Sequence, residues 1–175
     1  MATSTPPGSR TELGDVLTVL DLAGSARVWI DGGWGVDALL GRQTRDHGDL
    51  DLAIEARHLD AFVGTLSHHG FTAVGEDGAT AWNFLLAGPG GAVVDLHVIV
   101  LDEHDNGVLG PVGKGAVYPA ESLTGHGVLG DRPVSCIAAA WVVRFHDAYA
   151  GDADDRADVR ALCDRFGLVV PEQYR

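Results

Sequence analysis

The sequence predicts an α+β domain: a mixed β-sheet flanked by helices and followed by a C-terminal helical region. Three observations carry this reading. Residues 49–54 alternate in the period of a strand, and apolar runs at 81–87 and 92–101 flank Gly88-Pro89-Gly90-Gly91 in the manner of a β-hairpin. Between them, Leu59, Phe62, Val63 and Leu66 have the spacing of an amphipathic helix. Beyond Ile137 the only periodicity is helical. With 175 residues, 46% of them hydrophobic, the chain can bury one sizeable core.

The elements follow in order. Met1 to Arg10, rich in Thr, Ser, Pro and Gly, reads as a disordered N-terminus. Val16, Leu17, Val19, Leu20 and Leu22 fall on a helical stripe that Gly24 stops. Arg27 to Ile30 is a short strand entering a turn at Asp31-Gly32-Gly33, and Trp34 to Leu40 is a short helix closed by Gly41. Arg42 to Gly48 is a polar loop before the strand at 49–54. Leu59 to Leu66 is a helix closed by Gly70, and Phe71 to Val74 a short strand. Asn106-Gly107 is a turn, and the glycine-rich stretch 107–130 is expected to be loop with little regular structure. Ile137 to Ala150 is a helix. A second begins near Asp154, with Val159, Leu162, Cys163 and Phe166 on one face, Asp154 and Asp155 favouring the dipole, and Gly167 at its end. The division expected is a core over 11–131 and a helical region over 132–175.

Composition narrows the function. The net charge of −13 and the lack of a basic patch argue against nucleic acid as a partner. The acidic surface suits cationic ligands, although acidity also serves solubility. No apolar run reaches the roughly 18 residues needed to span a bilayer, so no membrane partner is expected. The first ten residues lack the basic and apolar regions of a signal peptide, and two lone cysteines, Cys136 and Cys163, read as reduced thiols. The expected location is the cytoplasm.

The chemistry concentrates between Gly32 and Asp51. Two glycines between a strand and a helix let the backbone approach a phosphate, and the helix N-terminus supplies free N–H groups. Asp49 and Asp51 then sit at alternate positions of a strand, so their carboxylates point the same way. Two such carboxylates are stable side by side with a divalent cation between them, and Mg²⁺ prefers hard oxygen ligands together with phosphate oxygens. Asp95, flanked by Val93, Val94, Leu96 and Val98, is costly to bury unpaired, and a place beside Asp49 and Asp51 on a neighbouring strand explains it. His97 shares the strand face of Asp95 and is an alternative proton acceptor. No Cys/His cluster has zinc-ligand spacing. His68 and His69 suit a helix end, and His104 and His126 need no role.

Gly32-Gly33-Trp34-Gly35-Val36-Asp37 and Gly41-Arg42-Gln43-Thr44-Arg45-Asp46-His47-Gly48-Asp49-Leu50-Asp51-Leu52 together resemble the signature of small antibiotic nucleotidyltransferases. These are the lincosamide nucleotidyltransferases and the related aminoglycoside-2″-adenylyltransferases, within the DNA polymerase β-like nucleotidyltransferase superfamily. Val94 to His97, Asp102 to Gly107, Gly130 to Cys136, Arg144 to Tyr149 and Asp155 to Val159 extend the likeness over about residues 28–168, and the later segments look closer to the lincosamide branch.

The resemblance implies a nucleotidyltransferase fold and transfer of a nucleoside monophosphate, AMP from ATP, to a hydroxyl of a small cationic lincosamide-like antibiotic. It implies Mg²⁺, as two ions, on Asp49 and Asp51; from its strand position Asp95 is expected to be either the third ligand or the general base, with His97 as the reserve candidate for base. Gly32, Gly33, Arg42, Arg45 and His47 would meet the nucleotide phosphates; for Arg42 and Arg45 the alternative is a solvated loop. Asp37 is expected to cap or orient the turn. Tyr149 is expected either to touch the nucleotide base, as His146 would, or to pack on the core, and Ala148 and Gly151 depart from the longer polar spacer of relatives. The acidic turn Asp102 to Asp105 would stand at the mouth of the cleft. The rivals are an aminoglycoside acceptor, a protein-modifying enzyme, and a non-catalytic binding module of toxin–antitoxin type. A homodimer is compatible with the sequence.

Overall fold

The computed structural model describes residues 6–75, 79–111 and 115–175. Residues 1–5, half of the expected disordered N-terminus, lie outside the described residues. Helix α1 (Leu13–Ala23) opens the fold, followed by β1 (Val28–Ile30), α2 (Gly32–Leu40), β2 (Leu50–Glu55), α3 (Leu59–His68), β3 (Thr72–Ala73), β4 (Asn83–Ala87) and β5 (Val93–Leu101). Then come β6 (Gly107–Leu109), β7 (Ala116–Tyr118), β8 (Gly125–Leu129), β9 (Arg132–Cys136), α4 (Ala139–His146) and α5 (Ala153–Phe166).

One mixed sheet runs in the order β3-β4-β5-β2-β1-β9-β8, with β6 on the far end of β5 and β7 on β6. The β2–β5 and β1–β9 pairings are parallel and the others antiparallel. The predicted hairpin is β4–β5, turning through Pro89–Gly91. In β2 the alternation is realised: Leu50, Leu52 and Ile54 pack with Val94 and Leu96 of β5 under α1 and α3, where Val16, Val19, Phe62 and Leu66 are fully or almost fully buried. Burying each such side chain stabilises the fold by about 1.5–3 kcal/mol. The opposite face holds a second core of Trp29, Val36, Ala53, Ile99 and Tyr118 under α4 and α5. The face of β2 and β5 that carries their acidic residues opens on this side.

Two expectations are corrected. The stretch 107–130 is not loop: it holds β6, β7, a 3₁₀ turn at Ala120–Thr124 and most of β8. The helical part does not start at 132, because Arg132–Cys136 is β9, paired with both β8 and β1. Strand β9 carries Pro133, whose missing N–H is tolerated only where no ladder bond is required of it. The first C-terminal helix is also shorter than predicted, ending at His146. The second matches its prediction closely. Asp152 accepts from the backbone N–H groups of Asp154 and Asp155, Asp155 accepts from that of Asp152, and Gly167 closes the helix in the left-handed region. Such a capping box contributes about 1 kcal/mol.

Candidate active site

The site lies where β1 hands over to α2. Helix α2 starts at Gly32, two residues earlier than the sequence suggested, so both glycines sit in its first turn instead of in a preceding loop. Asp31 is the N-cap, its Oδ1 accepting from the Gly32 N–H at 2.9 Å. Gly32 has φ +55°, and a Cβ built on it would overlap the Asp51 carboxylate. Only glycine supplies both the conformation and the room. A Cβ on Gly33 would overlap His47 Nδ1 and lie 2.8 Å from Arg45 Nη2. The glycines therefore press the helix start against an acid on one side and two basic side chains on the other.

The loop 42–48 is held from below. Asp37, fully buried, accepts from the Thr44 backbone N–H (2.9 Å), the Thr44 hydroxyl (2.6 Å) and His47 Nε2 (2.5 Å). The His47 ring also stacks obliquely on Trp34, with centroids 4.6 Å apart. This leaves Nδ1 as the ring nitrogen beside Gly33. Asp37 thus holds the loop 42–48 and not the turn at Gly32-Gly33, which Asp31 caps instead. Arg45 donates through Nε and Nη2 to Asp158 Oδ2 of α5, at 3.3 and 3.0 Å, tying the loop to the C-terminal helix. Arg42 is exposed and outside the cavity; its backbone N–H closes the end of α2 on the Asp37 carbonyl.

Strands β2 and β5 bring the acids together. Asp51 and Asp95 are direct partners in the parallel register, and His97 is partner to Ala53. Asp51, Asp95 and His97 each offer a ligand atom within 4.8 Å of the others. His97 Nε2 is 3.6 Å from Asp95 Oδ2 and 4.0 Å from Asp51 Oδ1. Asp95 is the deeper acid, 6% exposed, and its Oδ1 accepts from Asn83 Nδ2 at 2.7 Å. Asp49, Asp51 and His97 line a cavity of about 460 Å³, which Asp95 does not reach.

Sequence reasoning missed Asp31 and Tyr118. Tyr118, on β7 and 7% exposed, donates its hydroxyl to Asp31 Oδ2 at 2.9 Å and lies 2.9 Å from His97 Nδ1. Asp31 had a signal in its place before the paired glycines; Tyr118 had none, because it sits in the segment read as loop. The expected acidic mouth is also absent: Asp102 to Asp105 do not line the cavity, and Asp102 is spent within its own turn on the His104 and Asn106 N–H groups. The far wall is formed instead by Leu109, Val142, Phe145, His146, Tyr149 and Asp155. Tyr149 does not pack on the core. It is 49% exposed and donates to Asp155 at 3.2 Å.

The electrostatics follow from this crowding. Burial pushes the Asp51 carboxyl up; Asp49, Asp31 and Asp95 add to the rise and His97 opposes it, leaving it at about 8. Burial alone would lower His97, but the approach of Asp95 and the charges of Asp51, Asp95 and Asp31 outweigh it and raise the imidazole to about 9. The cluster is short of positive charge. A carboxylate set of this kind, open to a cavity and free of soft ligands, fits a hard divalent cation.

The comparisons agree with this geometry. The family model described as aminoglycoside-2″-adenylyltransferase matches residues 12–162. The chain belongs to that family. A lincosamide resistance protein from Staphylococcus haemolyticus is 29% identical over 153 residues, covering 85% of this chain and 92% of the relative. The crystal structure of the lincosamide antibiotic adenylyltransferase LnuA, lincomycin-bound, superposes with a TM-score of 0.76 at 26% identity, over 87% of this chain and 97% of that one. The structure of ANT(2″)-Ia with adenylyl-2″-tobramycin shares the fold, with a TM-score of 0.69 at 22% identity over 89% of each chain. The predicted α+β nucleotidyltransferase fold is therefore the fold of this chain, and the family's enzymes are antibiotic nucleotidyltransferases that act with a nucleotide co-substrate.

Proposed function

We propose that the protein transfers AMP from ATP to a hydroxyl of a lincosamide-like antibiotic, with Mg²⁺ held by Asp49, Asp51 and Asp95. The observation that carries this reading is the union of an acidic cluster and an apolar wall in one cavity. Asp49 and Asp51 line it together with Leu109, Val142 and Phe145, and Phe145 packs edge-on against Tyr118 beside the cluster. A polycationic aminoglycoside calls for several acids besides those that would hold the metal; beyond Asp31, Asp49 and Asp51 this cavity is lined by Asp155. A lincosamide, with one amine and an alkyl-substituted ring, suits an apolar wall with one acid. The likeness to a lincosamide resistance protein and to a lincomycin-bound enzyme supports the same choice. The non-catalytic alternative does not account for a glycine kept clear for the Asp51 carboxylate.

When bound, two Mg²⁺ ions would neutralise the triphosphate and stabilise an in-line displacement in which the acceptor oxygen bonds to the α-phosphorus and pyrophosphate leaves. The chain's own residues do the rest. Gly32 and Gly33 bring the backbone and the start of α2 against the phosphates, beside Arg45 and His47 Nδ1. The phosphate-binding set is thereby Gly32, Gly33, Arg45 and His47, without Arg42. The acceptor hydroxyl enters over the apolar wall and gives its proton to His97 Nε2, which lines the cavity, while Asp95 lies behind it. Asp95 as the base, with His97 only lining the cleft, is the alternative. A divalent cation held by the carboxylates would offset the field that raises His97 and bring the imidazole towards the range of a useful base. An ATP-dependent reaction and two free, buried thiols fit a cytoplasmic setting; among the described residues no helix is long and apolar enough to cross a membrane.

The test is incubation with Mg·ATP and lincomycin, clindamycin, kanamycin or tobramycin at low and high salt, with product detected by mass. Adenylylated lincosamide with little salt dependence supports the proposal. Transfer to an aminoglycoside that falls steeply as salt rises would support the rival acceptor, because exposed charges are screened beyond about 8–10 Å at physiological salt.

A further inference from the structure

We infer that Tyr118 and Asp31 are positioning residues that fix which nitrogen of His97 faces the acidic cluster. The Asp31 carboxylate accepts through both oxygens, from the Gly32 N–H at Oδ1 and from the Tyr118 hydroxyl at Oδ2, each at 2.9 Å. A phenol has one hydrogen, and Tyr118 has given it to Asp31. Its oxygen can therefore only accept in the 2.9 Å contact with His97, so Nδ1 carries the hydrogen. In a neutral imidazole this leaves the lone pair on Nε2, the nitrogen 3.6 Å from Asp95 and 4.0 Å from Asp51. In the cation Nδ1–H is present as well, so the orientation holds in both charge states.

Asp31 Oδ2 is 4.0 Å from His97 Nδ1, too far for a direct bond, and the phenol spans the gap. The chain is buried at its centre and braced: Tyr118 is 7% exposed and meets Phe145 edge-on, with centroids 5.6 Å apart. The same Asp31 caps α2. The ring orientation of His97 on β5 is thus coupled to the helix start that abuts Asp51, through one residue of the hairpin β6–β7. This explains why a short, glycine-rich hairpin is paired onto the end of β5: it delivers one phenol to the site.

The inference rests on the proposed transfer reaction only for its kinetic arm. The experiment uses the full chain and the variant Tyr118→Phe, which keeps the ring and its packing and removes the bridging oxygen. In wild-type protein, ¹⁵N-resolved NMR of the histidine side chains should show the His97 Nδ1–H as a slowly exchanging signal, and Tyr118→Phe should abolish it while other amide signals persist. With Mg·ATP and acceptor, the variant should lose about tenfold or more in kcat, a part of what a positioned base contributes. KM for either substrate should stay within about twofold, because the hydroxyl removed, although on the cavity wall, is already engaged by Asp31 and His97. On a His97→Ala background the same change should cost nothing further. An unaltered Nδ1–H signal, a KM effect with kcat intact, or a full loss that persists without His97 would each overturn the inference. Wild-type protein that transfers to no acceptor would count against the proposed function, while the NMR arm would still decide the positioning role.

Discussion

Replacing Gly32 by alanine should separate what this glycine does for the fold from what it does for the site. Its φ of +55° lies in the left-handed region, where a side chain costs about 1–2 kcal/mol. In a chain of 175 residues, 1 kcal/mol corresponds to roughly 2–4 °C in Tm, so the loss should be about 2–8 °C. The new methyl would overlap the Oδ2 and Cγ of Asp51, the free end of a side chain and not backbone. The carboxylate can swing aside, so the protein should fold. It then leaves its place opposite Asp95, and misplacing a reacting group by about 1 Å costs about 10²-fold in rate. Gly41 provides the control. It too is left-handed, at φ +69°, it closes the same helix, and nothing lies within 4 Å of its would-be Cβ. Gly41→Ala should lower Tm by a similar amount and leave kcat/KM unchanged. Thermal unfolding and steady-state transfer assays on both variants decide the matter. Near wild-type kcat/KM in Gly32→Ala, or an equal loss in Gly41→Ala, would refute the role given to the contact with Asp51.

Asp49→Asn and Asp51→Asn should each lower transfer by at least about 10²-fold; circular dichroism should show the fold retained, and near wild-type turnover in either would contradict the metal assignment. Without metal, the protein should lose stability as pH rises. Asp51 is raised from 3.8 to about 8 and His97 from 6.5 to about 9, so the unfolded chain releases these protons at lower pH than the fold does. Tm in EDTA should fall between about pH 4 and 9, first through Asp51 and above about pH 6.5 through His97 as well, and Mg²⁺ with a nucleotide analogue should flatten the slope; a Tm that climbs with pH in EDTA would count against the crowded cluster. Cys136 is fully buried and its thiol is pushed up to about 12 by burial and by Asp31, so it should resist thiol reagents at pH 8 until the protein unfolds. Fast modification of Cys136 in the native state would show the β9 end to be open.

The parts of the fold legible in sequence are those whose periodicity is long enough to count. Strand β2, hairpin β4–β5 and helices α3 and α5 each repeat their pattern over several residues or carry a capping signal. Strands β6 and β7 are three residues each and set among glycines, so they carry no measurable alternation. Strand β9 holds a proline and falls inside the stretch expected to be helical, 132–175. Their existence is decided by pairing with distant strands, which no local window contains. The site divides in the same way. The meeting of Asp51 and Asp95 follows from the strand period and from the cost of burying Asp95 among valines, and they are direct partners. Asp49, expected on the same strand, precedes β2 and shares with Asp51 the cavity lining instead of the strand. The partnership of Asp31 with Tyr118 spans 87 residues and depends on the β5–β6–β7 pairing. Arg42 and Arg45 are equivalent as sequence; only the bonds of Arg45 to Asp158, on a helix that follows every strand, separate them.

The central claim is the transfer of AMP to a lincosamide by the cluster at Asp51. The most direct measurement is mass spectrometry of lincomycin incubated with Mg·ATP and either wild-type protein or Asp51→Asn. The account predicts AMP-modified lincomycin with wild-type protein and at least about 10²-fold less with the variant. Unmodified lincomycin with folded, nucleotide-bound wild-type protein, or equal product from both proteins, would contradict it.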